Sequence, residues 1–238
     1  MEKQYFVLKL NNMGYRTRDL ESGKIVSVKS AINFKTVELD TISFEVEKEW
    51  EFKKTSYVSG TVLKSEFILA NLDVPPLEYI KVGLHEYEFK DYTGYGFYRP
   101  DGDPVFEATE MEPKKRYDSL ARLWEHYPQC IDALVHMGNM SFDSTHAFKS
   151  AFNCYMGAVH IAEQKLPLDD EAQFPWIFLN NRPYLRALHG LCLWHWKNKD
   201  FEKAEAIATK LLRLNPMDNQ GSRFILEDVQ NNVEYTPD

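Results

Sequence analysis

The feature that most constrains the fold is a pair of amphipathic helices near the end of the chain, predicted across residues 185–216. Apolar residues recur there at three- and four-residue spacing, a polar turn separates the two halves at residues 197–200, and Pro216 closes the second half. An isolated helical hairpin leaves apolar surface uncovered. We therefore expect other helices to stack on this pair, and we expect the stack to present a binding surface.

An earlier segment, residues 131–162, has the same order of large and small residues. Gly138, Ala151 and Ala158 stand where a small side chain lets two paired helices approach closely. Two copies in register predict a repeated helical hairpin. Residues 117–128 resemble the second helix of a truncated preceding unit, and residues 219–229 could form a capping helix.

Both copies resemble the tetratricopeptide repeat, a helical hairpin of about 34 residues. The residues that carry the resemblance in the later copy are Leu188, Leu191, Phe201, Ala204 and Pro216. Those in the earlier copy are Leu134, Met137, Gly138, Phe148, Ala151, Tyr155 and Ala158. The later copy departs from the pattern at Cys192, His195 and Ala208. The resemblance implies a short α-α solenoid whose concave groove is lined by the first helix of each unit.

The spacing between the copies is longer than that of a simple tandem repeat, because residues 165–184 are inserted between them. This insertion contains Phe174, Trp176 and Phe178. We interpret it as an elaborated connection that packs on the helices or on the N-terminal half. A functional loop is the alternative, since long loops in compact domains are often functional.

The N-terminal half has a period of two instead. Ile42, Phe44, Val46, Lys48, Trp50 and Phe52 alternate with Ser43, Glu45, Glu47, Glu49 and Glu51, which is typical of a half-buried strand with a solvated acidic face. Similar runs are predicted at residues 5–10, 24–29, 31–39, 57–69 and 79–89. Strands without intervening helices predict an antiparallel β barrel or sandwich. The expected fold class is therefore α+β, with a short tetratricopeptide-like solenoid after the strands.

The change of period places a domain boundary in the Pro- and Gly-rich stretch at residues 99–104. We predict an all-β domain over residues 1–110 and a helical-repeat domain over residues 111–238. The glycine-rich aromatic piece at residues 92–98 is interpreted as a hairpin turn, with ligand stacking as the alternative.

Composition restricts the partners. The net charge of −8 over 238 residues argues against nucleic acid, whose phosphates would be repelled. Apolar runs are too short to span a bilayer, and no secretion signal begins the sequence, so we expect a cytoplasmic protein without a membrane partner. The three cysteines, Cys130, Cys154 and Cys192, are interpreted as reduced packing residues.

No catalytic motif is found, so we expect a protein that is not an enzyme and needs no cofactor. His189, Cys192 and His195 share one predicted helix, but the two histidines point about 120° apart around it, so we do not expect a metal site.

The predicted groove carries a mixture of polar side chains and one large aromatic. The candidate partner-binding residues are Asp132, His136, Asn139, Arg186, His189, Trp196, Lys197 and Arg223. Arg186, Lys197 and Arg223 could hold a carboxylate or an acidic side chain. Trp196 could also serve only to pack against the insertion or the β half.

These observations favour a non-enzymatic adaptor that binds a peptide or protein partner through the helical groove. The alternative is a small-molecule-binding or hydrolytic β domain, which the aromatic residues Trp50, Tyr57, Tyr92, Tyr95 and Tyr98 suggest. A homodimer formed through the ends of the short stack is a further possibility.

Overall fold

The computed structural model describes residues 1–30, 35–91 and 102–237. Its strands are β1 (Glu2–Asn11), β2 (Gly14–Asp19), β3 (Ile25–Lys29), β4 (Asp40–Phe52), β5 (Thr55–Phe67), β6 (Tyr79–Lys81) and β7 (Tyr87–Phe89). Its α-helices are α1 (Pro104–Thr109), α2 (Pro113–His126), α3 (Ile131–Phe142), α4 (Phe148–Glu163), α5 (Arg182–Lys197), α6 (Phe201–Leu214) and α7 (Ser222–Gln230). The mixed α+β class is confirmed.

The first five strands form a closed barrel in the order β1-β2-β3-β5-β4, with β4 returning to β1. The expected choice between barrel and sandwich is therefore decided in favour of the barrel. Its description as antiparallel is wrong at one place, because β3 and β5 pair in parallel. A ring with an odd number of strands cannot alternate direction throughout, so at least one parallel pair is unavoidable.

A β-bulge in β4 exchanges the two faces of the strand partway along its length. The pairing of β4 with β5 shifts between Val46 and Lys48, where one extra residue enters β4. Beyond the shift Glu49 pairs with the buried Val58, and Trp50 pairs with Tyr57. Trp50 therefore lies on the outer face, and its predicted position on the face of Phe44 is wrong. The glutamates Glu45, Glu47, Glu49 and Glu51 are all exposed, but the bulge places Glu49 and Glu51 on the opposite face of β4 from Glu45, so the prediction of a single acidic face is wrong.

Other predicted strands differ in detail. The strand β2 was not predicted, and residues 35–39 form a turn-rich connection in place of the expected strand. Residues 79–89 form the separate hairpin β6–β7, because a turn interrupts them. The predicted hairpin at residues 92–98 lies outside the described residues.

The helices that follow one another along the chain pack together: α2 on α3, α3 on α4, α5 on α6 and α6 on α7. The small residues predicted at helix contacts are fully buried there, since Ala151, Ala158 and Ala204 each have 0% exposure. The first helices of the two predicted hairpins, α3 and α5, also contact each other directly.

The inserted residues 165–184 pack against the β6–β7 hairpin. Phe174 is fully buried and stacks on Phe89 with 4.7 Å between ring centroids. The backbone N–H of Phe174 donates to the carbonyl of Leu214 at 2.8 Å, which ties the insertion to α6. Asn181 accepts a hydrogen bond from the N–H of Phe89 at 3.0 Å and donates to the carbonyl of Tyr87 at 2.8 Å. The insertion thus joins β7 to the helices.

A buried polar joint connects the barrel with the helices. The carboxylate of Asp40, at the start of β4, is fully buried and accepts hydrogen bonds from Lys149 at 2.6 Å, Asn153 at 3.0 Å and Ser65 at 2.8 Å. The nearby carboxylate of Glu38 accepts from Ser150 at 3.1 Å. A buried carboxylate is costly unless it is hydrogen-bonded, so these contacts specify how the two halves meet.

Candidate functional site

The parallel helices α3 and α5 form the centre of the candidate site. At one end Arg186 donates to the carboxylate of Asp132 at 3.0 Å, and at the other end Lys197 donates to Asp143 at 3.1 Å. Each pair joins residues 54 positions apart, so the two helices run side by side in one register. Asp132, Arg186 and Lys197 therefore lie along the contact between these two helices.

Arg186 and Lys197, which were expected to bind an acidic group of a partner, form ion pairs within the chain instead. Lys197 also lies 4.4 Å from the ring centroid of Phe142. An exposed or half-buried ion pair of this kind contributes about 0–1 kcal/mol, so it positions side chains more than it stabilises the fold.

His136 and Asn139 both lie on α3, the helix that carries Asp132. His136 lies 3.9 Å from Asp132, and its pKa is lowered, chiefly by burial and next by the positive charge of Arg186, against the opposing effect of Asp132. The exposed Asn139 accepts a hydrogen bond from the hydroxyl of Tyr155 at 2.8 Å. His136 therefore stands beside the Asp132–Arg186 pair, whereas Asn139 lies about two turns further along α3.

A cavity of about 310 Å³ opens between α1, α3, the start of α5 and β7. Its apolar floor includes Phe89, Val105 and Ile131, and its charged wall includes Asp132 and Arg186. We call this cavity the α3–α5 groove. It combines buried apolar side chains with a few polar groups, which is typical of a binding site.

Arg182 is a groove residue that sequence reasoning missed. Its guanidinium lies 5.2 Å from the ring centroid of Trp176, and its Nε donates to the carbonyl of Trp176 at 3.0 Å. Arg186 approaches the same ring at 5.7 Å. One indole thus holds two guanidinium groups at the rim of the groove. The available signal was the Arg-Pro pair that begins α5, six residues after a tryptophan.

Trp196 does not line the α3–α5 groove, which corrects its predicted orientation. It is only 9% exposed, it packs with residues of α6 and α7, and its indole N–H donates to the carbonyl of Val233 at 2.7 Å. Tyr235 meets its ring edge-on at 5.3 Å. The segment after α7 returns over α5 and covers this side chain, so neither the insertion nor the β half is its main contact.

His189 and Arg223 also lie away from the groove lining. His189 is half-buried, and burial lowers its pKa while Asp218 opposes the shift. Arg223, on α7, donates to Asp218 at 2.8 Å. The structure therefore separates these two residues from the groove lining and brings both near Asp218.

The residues weighed for metal binding make other contacts. Cys192 donates from its Sγ to the carbonyl of Ala204 at 3.2 Å, and His195 bonds Asp200 at 3.1 Å. Burial raises the pKa of Cys192 to about 12 and keeps this thiol protonated. All three cysteines are buried. Within residues 1–30, 35–91 and 102–237, no group of three or more His, Cys, Asp or Glu side chains could hold a metal ion.

The aromatic residues that suggested the β-domain alternative are divided. Trp50 and Tyr57 stack at 5.4 Å on the outer face of the barrel, flanked by Lys48 and Lys29. Tyr92, Tyr95 and Tyr98 lie outside the described residues.

The comparisons with protein families and with curated protein sequences did not assign the chain to a family, because neither gave a match. Among the helices that the structure describes, none has both the length and the apolar character needed to cross a membrane.

Proposed function

We propose that this chain is a non-enzymatic adaptor that binds a peptide segment of a partner protein in the α3–α5 groove. The observation that carries the proposal is the pair of guanidinium groups, Arg182 and Arg186, held on Trp176 beside an apolar floor. A rim that is already positioned loses little conformational entropy when a ligand binds.

The helical arrangement supports a repeat-type binding surface. Parallel first helices with a constant offset of 54 residues are what stacked tetratricopeptide-like hairpins would produce, and such stacks use this side for binding. The proposal therefore includes a tetratricopeptide-like solenoid over the helical half and location in the cytoplasm.

The partner segment should carry a carboxylate. Arg186 is paired with Asp132, whereas Arg182 makes no ion pair with any residue that the structure describes. A guanidinium prefers a carboxylate with bidentate geometry, and the apolar floor beside it would receive a neighbouring apolar side chain. An acidic residue next to an aliphatic or aromatic one is the motif that we expect.

Selection of peptides from a random displayed library on the full-length chain tests the proposal. We expect enrichment of sequences with Asp or Glu beside an apolar residue, and we expect Arg182→Gln to weaken binding of the selected peptides at least about tenfold, the effect of losing a charge-assisted hydrogen bond. Arg122→Gln, an exposed arginine on α2, is the matched control. Equal binding by both variants would contradict the assignment of the groove.

A second copy of this chain is another partner that we expect. Phe224 of α7 is 67% exposed and Met217 is 79% exposed, so apolar surface remains near the end of the stack. Light scattering over a concentration series measures this directly, and a strictly monomeric mass at every concentration would remove it.

A further inference from the structure

The end of the barrel far from the helices carries a second cavity, of about 410 Å³. The first residues of β1, β3 and β5 and the last residues of β2 and β4 surround it. We call this cavity the barrel mouth. Its volume falls in the range of roughly 300–1,000 Å³ that small-molecule sites occupy.

Tyr5 lies at the base of the barrel mouth, and its hydroxyl oxygen is buried without a hydrogen-bond partner among the residues that the structure describes. The side chain is fully buried and packs edge-on against Phe44 at 5.9 Å. A buried hydroxyl without a partner has lost its hydrogen bonds to water and gained none in return, so its retention needs an explanation.

A carboxylate lies on the strand next to Tyr5. Asp19 is the register partner of Tyr5 across β1 and β2, and it is only 7% exposed. Its Oδ1 accepts the backbone N–H groups of Glu21 and Ser22, both at 2.9 Å, which holds the carboxylate in place. On the β4 side, Glu49 accepts a hydrogen bond from Lys3 at 2.7 Å. The lining thus carries an ion pair, Lys3–Glu49, and a carboxylate whose Oδ1 is held by backbone N–H groups.

The hydroxyl of Tyr5 is available as a donor to a ligand. Burial, followed by the nearby carboxylates of Asp19 and Glu49, raises the pKa of Tyr5 to about 12. The hydroxyl keeps its proton at physiological pH and needs an acceptor. An ammonium ion has no lone pair to accept this hydrogen, whereas a hydroxyl oxygen can accept from Tyr5 while its own hydrogen is donated to Asp19.

The net negative charge of the lining disfavours anions. Four carboxylates, those of Asp19, Glu21, Glu49 and Glu51, face two ammonium groups, those of Lys3 and Lys24. A phosphorylated ligand would be repelled, while a neutral molecule with several hydroxyl groups would find both donors and acceptors.

We propose that the barrel mouth opens to bind a small uncharged polyhydroxylated molecule of monosaccharide size, one hydroxyl of which reaches the buried hydroxyl of Tyr5 and bridges it to Asp19. This site is separate from the α3–α5 groove and does not depend on the adaptor function. It gives the barrel a ligand of its own.

Ligand-observed and protein-observed NMR titrations of the full-length chain test this site. The probes are D-glucose, D-galactose, D-ribose and myo-inositol, with ribose 5-phosphate as the anionic analogue and ethanolamine as the amine analogue. We expect at least one neutral polyol to bind below 10 mM and to shift the amide resonances around Tyr5 and Asp19.

The decisive variant is Tyr5→Phe, which removes only the hydroxyl oxygen and keeps the ring against Phe44. We expect its thermal stability to equal or exceed that of the parent, and its polyol affinity to fall at least about tenfold. Asp19→Asn, which retains the Oδ1 acceptor, should also weaken binding. Tyr79→Phe, on β6, is the control for loss of a phenol hydroxyl elsewhere.

Three results would overturn the proposal. They are failure of every neutral polyol to bind at 10 mM, equal affinity of Tyr5→Phe and the parent chain, and tighter binding of the phosphate or amine analogue than of the neutral compounds.

Discussion

The ring of Tyr155 lies directly against Gly190: a methyl group added to this glycine would come within 2.5 Å of the ring atom Cε1. Gly138 meets the same ring from α3, where an added methyl group would lie 2.6 Å from Cε1. One tyrosine of α4 therefore occupies the space that two glycines leave on the neighbouring helices. This arrangement explains how α3 and α5 both approach α4 closely.

Gly190→Ala is expected to destabilise the protein. Alanine gains up to about 1 kcal/mol from helix propensity, but overpacking a buried ring costs about 1–3 kcal/mol, so we expect a net loss of up to about 2 kcal/mol in the free energy of unfolding. Denaturant unfolding measures the change.

Gly157→Ala, within α4, is the matched control. Its added methyl group would come no closer than 3.3 Å, to the methyl carbon Cδ1 of Leu39. We expect this variant to be neutral or more stable. A stable Gly190→Ala protein would show that the Tyr155 contact is looser than described.

Asn181→Ala should weaken the connection between β7 and the helices. The substitution leaves the N–H of Phe89 and the carbonyls of Tyr87 and Pro175 without this partner. We expect a loss of at least about 2 kcal/mol, because each buried unsatisfied group costs about 1–3 kcal/mol. In Asn180→Ala, where only the contact with Glu88 is lost, we expect a change below about 0.5 kcal/mol. Equal effects in thermal unfolding would be evidence against this role.

Trp196→Phe should loosen the segment that follows α7. The indole N–H that holds the carbonyl of Val233 is removed while the aromatic contact is largely kept. We expect carboxypeptidase to trim the C-terminus several times faster, with a stability loss of only about 1 kcal/mol. Trp194→Phe removes a similar bond, to Phe148, at another place on α5 and should leave the trimming rate unchanged. Similar trimming of both variants would count against the anchor.

The stability of the helical half should decline as the pH falls below neutrality. Burial lowers the pKa of His189 below its ordinary value of 6.5, so the unfolded chain binds this proton more readily than the folded one. Above pH 6.5 His189 is neutral in both states and does not reduce the stability of the folded chain. As the pH falls from 6.5 toward the pKa of His189 in the folded state, the free energy of unfolding decreases. His136 and His195 shift in the same direction.

Melting temperatures at pH 7 and pH 5 measure this effect. We expect a smaller decrease for His189→Gln than for the parent chain, since the substituted side chain does not titrate. Identical decreases would assign the pH dependence to other groups.

The helical half could be predicted further than the barrel. Ala151, Ala158 and Ala204 are buried where the repeat pattern placed them, because helix contacts of this kind depend on side-chain size at fixed spacing. The bulge near Lys48 left no trace in the alternation, because polar residues surround it on both faces of β4. Period two alone therefore assigned Trp50 to the wrong side.

The candidate sites were only partly visible in the sequence. Asp132 and Arg186 were placed on one surface, but their mutual pairing depends on a three-dimensional contact between α3 and α5. Trp196 was misplaced, because the segment that covers it has no helical period. The lack of a hydrogen-bond partner for the Tyr5 hydroxyl among the described residues could not be predicted, because it depends on which side chains of the other strands lie near that hydroxyl once the barrel is closed.

The joint around Asp40 has an evolutionary consequence. Lys149 and Asn153, which neutralise and bond this carboxylate, are encoded more than a hundred residues downstream of it. A recombination event that transferred the barrel alone to another gene would leave the carboxylate of Asp40 without these two partners. We expect the two halves to have been inherited together, in contrast to modules that are freely shuffled.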